Sequence, residues 1–233
     1  MKKILIITVI VFLVAGHAFA EFQLEINLGY FFNTETYRSN FNDINRELNG
    51  LDFNIGVRYL FTKNLGFFLG MNTRYWLFGN NDEYIMLFEP DAEDIVIDEK
   101  NGSKLSMNFG LTLSFPINDN VRIQSDIGFS HTLLGSEDII VSANVDDYDI
   151  TYNIFYRMSS FGYYATVFGV LGNNSHCFTF GLKMDYKFIR YEDGIINDIN
   201  QSPDYDDWSL PFSHNPYFSG FSIAPFIGYL WRI

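Results

Sequence analysis

The chain has 233 residues, and its 15 Lys and Arg against 28 Asp and Glu leave a formal net charge of −13. Such acidity excludes a nucleic-acid binder, which needs a basic surface to displace counterions. With 48% hydrophobic residues, 25 Phe, 15 Tyr and one cysteine, intrinsic disorder, an internal disulfide and a zinc-thiolate site are excluded as well.

Met1-Lys2-Lys3 is a short cationic start, and an apolar run interrupted only by Thr8 follows from Ile4 to Val14. Ala18-Phe19-Ala20 then supplies a small-x-small cleavage site. This three-part pattern predicts a signal peptide, residues 1–20, cleaved after Ala20. The run is too short for a transmembrane helix, which needs roughly 20 apolar residues. Residues 21–233 form the predicted mature chain, with 13 basic and 28 acidic groups and a net charge of 13 − 28 = −15. No cysteine follows the cleavage site directly, so no lipid anchor is expected there.

From Glu21 onward the chain alternates with period two. Phe22, Leu24, Ile26, Leu28 and Tyr30 interleave with Gln23, Glu25, Asn27 and Gly29, and Leu51, Phe53, Ile55, Val57 and Tyr59 with Asp52, Asn54, Gly56 and Arg58. Leu65–Phe78 fits the same template more weakly. From Leu105 to Ile117 thirteen residues alternate without an exception, which describes a strand with one apolar and one polar face. Val121–Leu133 and Phe161–Leu171 are again weaker. Phe178 to Phe188 alternates cleanly, and a last strand runs from about Phe218 to Ile233. Eight strands result.

The connections alternate too. Those at Phe61–Asn64, Asn118–Asn120 and Gly172–His176 are tight and rich in Asn, Asp and Gly. Those near 33–50, 79–104, 134–160 and 189–217 are long and polar. Short turns at one end and long loops at the other predict an all-β, eight-stranded antiparallel up-and-down transmembrane barrel. Both termini would be periplasmic and the four long loops extracellular. The competing architecture is a soluble barrel of the lipocalin kind, its apolar face turned inward. The polar faces favour the membrane form, because Gly29, Gly56, Gly66, Gly70, Gly110, Gly128, Gly181, Gly220 and Gly228 weaken a solvent-facing strand but make room in a narrow lumen. Tyr30, Tyr59, Tyr75, Tyr186, Tyr229 and Trp231 at strand ends fit interfacial girdles.

The chain resembles the small bacterial outer-membrane barrels, the group of the OmpA transmembrane domain, OmpX, Opa and OmpW, over essentially all of the mature sequence. The sharpest element is Gly228-Tyr229-Leu230-Trp231-Arg232-Ile233, similar to that family's assembly signal. Gly228, Trp231 and Ile233 carry the match, although the family usually ends in Phe. The resemblance implies the outer membrane, its lipid and the barrel-assembly machinery as location and partners.

The four long connections hold 22 acidic and six basic residues, a net charge of 6 − 22 = −16. They read either as a solvated, self-repelling surface or as a surface for a cationic or host partner. Asp146-Asp147-Tyr148-Asp149 and Asp204-Tyr205-Asp206-Asp207 could hold calcium but lack the spaced ligands of an EF-hand loop. Alternation within the third loop predicts that strands five and six project as a hairpin turning near Val145–Tyr148.

No cofactor or metal motif is present, and the expectation is a non-enzymatic protein. Some small outer-membrane barrels modify lipid with a His, a Ser and an acid. Here His131 has Ser130, Ser136 and Glu137 nearby in sequence, without those families' spacing. Cys177 reads as a packed side chain. Two functions stay open, a structural or adhesin-like surface barrel and a narrow channel for ions or small apolar solutes. The lumen separates them. Its predicted face collects Glu25, Asp52, Asp126 and Asp185 with Arg58, Arg74, Arg122, Lys183 and Lys187. An eight-stranded interior is filled by its side chains, so these charges are expected to pair and plug it, with Glu25 and Arg58 meeting at similar height.

Overall fold

A computed structural model describes residues 20–38, 43–80, 93–145, 148–172, 175–198, 208–210 and 217–233. Residues 1–19 of the predicted signal peptide, Asp146, Asp147, the Asp204–Asp207 cluster and His214 lie outside the described residues.

Among the described residues nine strands follow in chain order: β1 (Glu21–Arg38), β2 (Asp43–Leu60), β3 (Leu65–Asn80), β4 (Glu93–Asn118), β5 (Val121–Val145), β6 (Tyr148–Leu171), β7 (His176–Asp198), β8 (Trp208–Leu210) and β9 (Tyr217–Arg232). Each of β1 to β7 pairs antiparallel with its successor along the chain. β9 closes the ring between β7 and β1. Eight strands therefore form the barrel, and the three-residue β8 is an accessory paired to β7 at Gly194–Ile196.

Why the sheet closes follows from the alternation. Large apolar side chains such as Leu51, Phe53 and Ile55 on β2 or Phe67, Leu69 and Met71 on β3 stand exposed on the outer face. Their even-numbered neighbours Asp52, Asn54, Arg58, Asn72 and Arg74 are buried inside. Curling this way removes every polar edge from the wall and turns the apolar face outward.

All three tight turns, the start of β1 and the C-terminus lie at one end of the barrel, the turn end. In the first turn the Thr62 hydroxyl accepts from the Leu65 and Asn64 amides at 2.9 and 3.2 Å. Asn64 ties the turn to β4 through Ser114, accepting from its amide and donating to its carbonyl. The Asn118 side chain accepts from the Asn120 amide in the second turn. In the third, Gly172 has φ +142°, a conformation that side-chain-bearing residues rarely adopt. The Ile233 amide donates to the Phe22 carbonyl at 2.8 Å, so the start of β1 is tied to the C-terminus.

At the opposite end the projecting β5–β6 hairpin turns at Val145↔Tyr148, where alternation within the third loop placed it, and the other three connections differ from the sequence expectation. Strand pairing runs through most of the segments expected as long loops, as far as Arg38↔Asp43, Glu93↔Asn144, Val145↔Tyr148 and Tyr152↔Asp198. The backbone ladder needs no apolar alternation once both faces of a strand are wet, so the sequence signal fades while the strand continues. β4 to β7 have 23 to 26 residues against 16 to 18 in β1, β2, β3 and β9. The excess of β4 over β1, 26 − 18 = 8 residues, makes a sheet projecting roughly 25 Å at about 3.3 Å per residue. β3 pairs with β4 only as far as Trp76↔Gly102, so among the described residues β4 has a free edge over 93–101.

Candidate functional site

The lumen is the candidate site. Among the described residues it buries six carboxylates (Glu25, Glu35, Asp52, Asp126, Glu137 and Asp185) and six cations (Arg46, Arg58, Arg74, Lys104, Lys183 and Lys187), each at most 5% exposed.

At the mouth of the turn end, Arg122 Nη1 donates to both Glu21 carboxylate oxygens at 3.0 Å, and Arg232 Nε lies 3.5 Å from Glu21 Oε1. Arg122 was expected within the lumen cluster. It sits instead at the partly exposed rim, because it is only the second residue of β5 after the turn. Directly inside, Phe168, Val170, Cys177, Phe226 and Leu230 form a buried apolar layer. Cys177 is packed there at 1% exposure.

Above this layer Arg58 gathers two carboxylates. Its Nη1 lies 2.5 Å from Glu25 Oε2, and its Nε and Nη2 donate to Asp126 at 3.0 and 2.6 Å. The Thr112 and Thr166 hydroxyls also donate to Asp126, at 2.6 and 3.1 Å. The guanidinium lies 4.7 Å from the Phe168 ring centroid. Over this group the Phe68 and Tyr164 rings meet at 5.4 Å. They project from β3 and β6, and the strands between them carry Gly110 and Gly128 at that level. A Cβ on Gly128 would come within 2.0 Å of the Phe109 carbonyl, so the two strands also approach too closely for a side chain there.

The middle band is built on Arg74. Its Nε donates to Asp52 at 2.7 Å and its Nη2 to Asp185 at 2.5 Å, while Lys183 donates to the other Asp52 oxygen. Asn72 Nδ2 donates to Asp52 at 3.0 Å. Lys187 Nζ donates to Ser106 Oγ at 3.3 Å and lies 3.8 Å from Asp185. Aromatic rings line this band. Arg74 lies 5.0 Å from the Phe31 centroid and Lys104 lies 5.8 Å from that of Trp76. Higher still, Arg46 Nη2 donates to Glu137 at 2.7 Å and lies 3.4 Å from Glu35.

Topology gives these contacts their meaning. Around the ring, β1 and β5 lie opposite each other, as do β3 and β7. Glu21–Arg122 and Arg74–Asp185 therefore span the full width of the barrel. Arg58–Asp126, Asp52–Lys183, Lys187–Ser106 and Arg46–Glu137 join strands three places apart. The lumen is crossed by polar struts at successive depths.

Sequence reasoning misses Glu35, Arg46, Lys104 and Glu137, which fall within the segments expected as long connections. Glu35 is in phase with Glu25, Arg46 with Asp52, and Lys104 with Ser106, so a longer period-two count would have found three of them. Glu137 is out of phase with Asp126. A register shift between His131 and Ser136 leaves Leu133 and Leu134 both exposed and changes which parity faces inward. The same geometry separates the residues of the lipid-modifying alternative. His131 stands on the outer face with Nδ1 3.1 Å from the Ser160 carbonyl, while Ser130 and Glu137 are buried in the lumen.

At the C-terminus, Gly228 lies between Asn27 of β1 and Thr179 of β7. The Thr179 hydroxyl donates to Asn27 Oδ1 at 3.1 Å across it. The Trp231 ring packs 4.6 Å from Tyr229, whose hydroxyl lies 2.7 Å from His176 Nδ1. Ile233 is 80% exposed.

A closed barrel of eight antiparallel strands, apolar outside and filled with polar side chains inside, is the fold of the small outer-membrane barrels. Its sequence matches no protein-family model and none of the curated proteins. Among solved structures it is similar to Ail, the attachment invasion locus protein of Yersinia pestis, at 14% identity over 90% of this chain and 98% of that one, with a TM-score of 0.39. Neisserial surface protein A matches at 9% identity over 91% of this chain and 97% of the other, with a TM-score of 0.41. The outer membrane protein OprG from Pseudomonas aeruginosa matches at 10% identity over 92% and 96%, with a TM-score of 0.48.

Proposed function

We propose that the protein is a non-enzymatic surface barrel of the bacterial outer membrane, exported by cleavage after Ala20 and sealed along its axis by the lumen struts. The turn end faces the periplasm, and the projecting strands with their acidic connections face outward. The single observation that carries this reading is that buried ion pairs join strands three and four places apart at several depths. Each such strut occupies the width that a solute would need, in an interior that eight strands leave barely wide enough for side chains.

Contact with a partner then falls to the projecting sheet. Over 93–101 β4 has no strand paired on its β3 side among the described residues, in a segment whose sequence carries Glu93, Asp94, Asp98 and Glu99 against Lys100. Such an edge accepts an extended segment of another chain, and this charge favours a basic one. Gly228, Trp231 and Ile233 are the contact for the barrel-assembly machinery.

One experiment with two readouts tests this. In planar bilayers the wild type should be silent, and Arg58→Ala should conduct. Steady conductance from the wild type, unchanged by that substitution, would establish the narrow channel instead. In a Cys177→Ser background, a cysteine at Asp138 should react with an impermeant thiol reagent on intact cells and one at Asp119 should not. The reverse pattern would invert the orientation.

A further inference from the structure

The amphipathic sense of the sheet reverses along β5. Below the irregularity at His131–Ser136, Ile127 and Phe129 stand exposed on the outer face, while Asp126, Ser130 and Thr132 are buried inside. Above it Glu137 is buried inside against Arg46, and Asp138 is exposed outside. Pairing with β6 is unbroken from Ser136 to Val145, so the count from Glu137 puts Ile139 and Val141 on the inner face. Directly opposed residues of an antiparallel pair share a face. Ile154 and Tyr152 of β6 therefore join them, Ile97 of β4 lies beside Val141, and Ile196 of β7 lies beside Ile154. Lys100, opposite Ile139, is the exception on that face. The outer face of the same hairpin takes Asp138, Ser142, Asn144, Asp149 and Thr151, along with Ile140 and Phe155. The projecting sheet thus has its apolar side inward, the reverse of the barrel wall below it.

Two further features bear on what such a face recognises. The projecting stretches 93–101, 136–145, 148–157 and 190–198 hold three basic and ten acidic residues, a net charge of 3 − 10 = −7. On β4, the strand with no partner on its β3 side among the described residues, the two faces also differ in charge. Ile97 belongs to the inner face, whereas Glu93 and Glu99, opposite Asn144 and Ile140, belong to the outer one. A strand added at a sheet edge alternates its side chains between these two faces.

We infer that the projecting sheet binds an extended polypeptide segment in which apolar and basic residues alternate, added as a further strand on β4 over 93–101. With the projecting edge taken as the contact surface, as proposed above, the two faces dictate the pattern that the partner carries. Its apolar residues fall beside Ile97 and extend the row through Val141 and Tyr152. Its basic residues fall beside Glu93 and Glu99. A second copy of this chain is disfavoured by like charge, since each copy brings the same acidic stretches.

Two synthetic peptides of about eight residues test the pattern, the length of a typical strand. One alternates Lys and Val, and the other carries the same residues in two blocks, so charge and composition are equal. Fluorescence anisotropy with the full chain folded in detergent reads their binding. The alternating peptide should bind at least about tenfold more tightly, as expected when several cross-strand pairs are matched. Val141→Asp should erase that preference, and Ile140→Asp, one position along on the outer face, should keep it. Gel mobility without boiling checks that each variant is folded, and Ile97→Asp replaces Val141→Asp if the latter is not. Equal affinity for the two peptides would overturn the pattern while leaving an acidic edge that takes basic chains. Binding of neither peptide would overturn the edge as a contact surface as well. If the alternating peptide binds only after Tyr84–Phe88 are replaced by Gly and Ser, the face belongs to this chain's own connection. If sedimentation shows a dimer that Val141→Asp dissociates, the face belongs to a second copy. Either result overturns the proposal.

Discussion

The two faces of one barrel wall follow different rules. On the outer face Phe109, Phe129 and Phe161 stand in a row on β4, β5 and β6, with ring centroids 5.8 and 5.7 Å apart. Each touches only its neighbours in the sheet, and what the surroundings ask of it is an apolar surface. On the inner face, Asp126 alternates with Ser125 and Ile127 along the same β5. It is held by Arg58 of β2, Thr112 of β4 and Thr166 of β6. Outer residues interact in two dimensions and inner residues in three. Composition is sufficient for the first, whereas the second requires particular side chains at particular heights.

The largest test of that contrast is Arg58→Ala. It removes the cation shared by Glu25 and Asp126 and leaves two carboxylates buried at 0% exposure. Breaking a buried pair by removing one partner costs about 3–5 kcal/mol. Urea titration of the protein folded in detergent should show a loss of that order. A loss below about 1 kcal/mol would mean that water reaches this level and solvates the carboxylates separately, as at exposed ion pairs.

The difference between the faces also explains what was legible in the sequence. Inward and outward phases were readable wherever apolar residues alternated cleanly, as in Leu105–Ile117. Reading faltered along Leu65–Phe78 and Phe161–Leu171, where Phe68, Trp76, Tyr164 and Phe168 face inward and break the expected polar set. The chemistry of the lumen asks for these rings, which stack on Arg58 and Lys104 or shelve one level from the next. Partner identities were less accessible. The period-two count put Asp126 and Lys183 on the inner face without saying that Asp126 bonds Arg58 and Lys183 bonds Asp52. Which groups meet across the ring depends on strand stagger, a property of the whole sheet that no single segment encodes. The outer group was lost for two local reasons. Glu35, Arg46 and Lys104 lie beyond the clean apolar alternation of their strands, and the irregularity before Ser136 reverses the parity that would have revealed Glu137.

A smaller effect is expected at Gly228, where the two kinds of contact compete. An added Cβ would come 1.8 Å from Asn27 Oδ1, 2.5 Å from the Ile26 carbonyl and 2.7 Å from Thr179 Oγ1. Asn27 can swing aside, but the Ile26 backbone cannot without disturbing the β1–β9 seam that closes the barrel. Gly228→Ala should therefore cost about 1–3 kcal/mol, the range for inserting a group into packed space. Urea titration after refolding in detergent checks this directly. If Gly228 acts only as an assembly signal, the refolded variant will match the wild type and only export in cells will fall.

The smallest effect is expected one residue from one of the largest. Ile127 is 55% exposed on the outer face, next in sequence to the fully buried Asp126. Ile127→Leu keeps the volume and apolar character of the side chain, and its surroundings there are set by neighbouring outer residues and the lipid or detergent. The change should lie within about 0.5 kcal/mol of the wild type, as for substitutions that touch no specific partner. Asp126→Asn is equally conservative in shape, yet it removes the charge facing Arg58 and gives Thr112 and Thr166 an amide in place of a carboxylate. Measured side by side by urea titration, the pair isolates direction from size. Two substitutions of unchanged volume at consecutive positions should differ by several-fold in effect because one faces struts and the other faces lipid. Equal losses at both positions would mean that the wall is held by its backbone ladder alone, and that the lumen contacts fill space without bracing it.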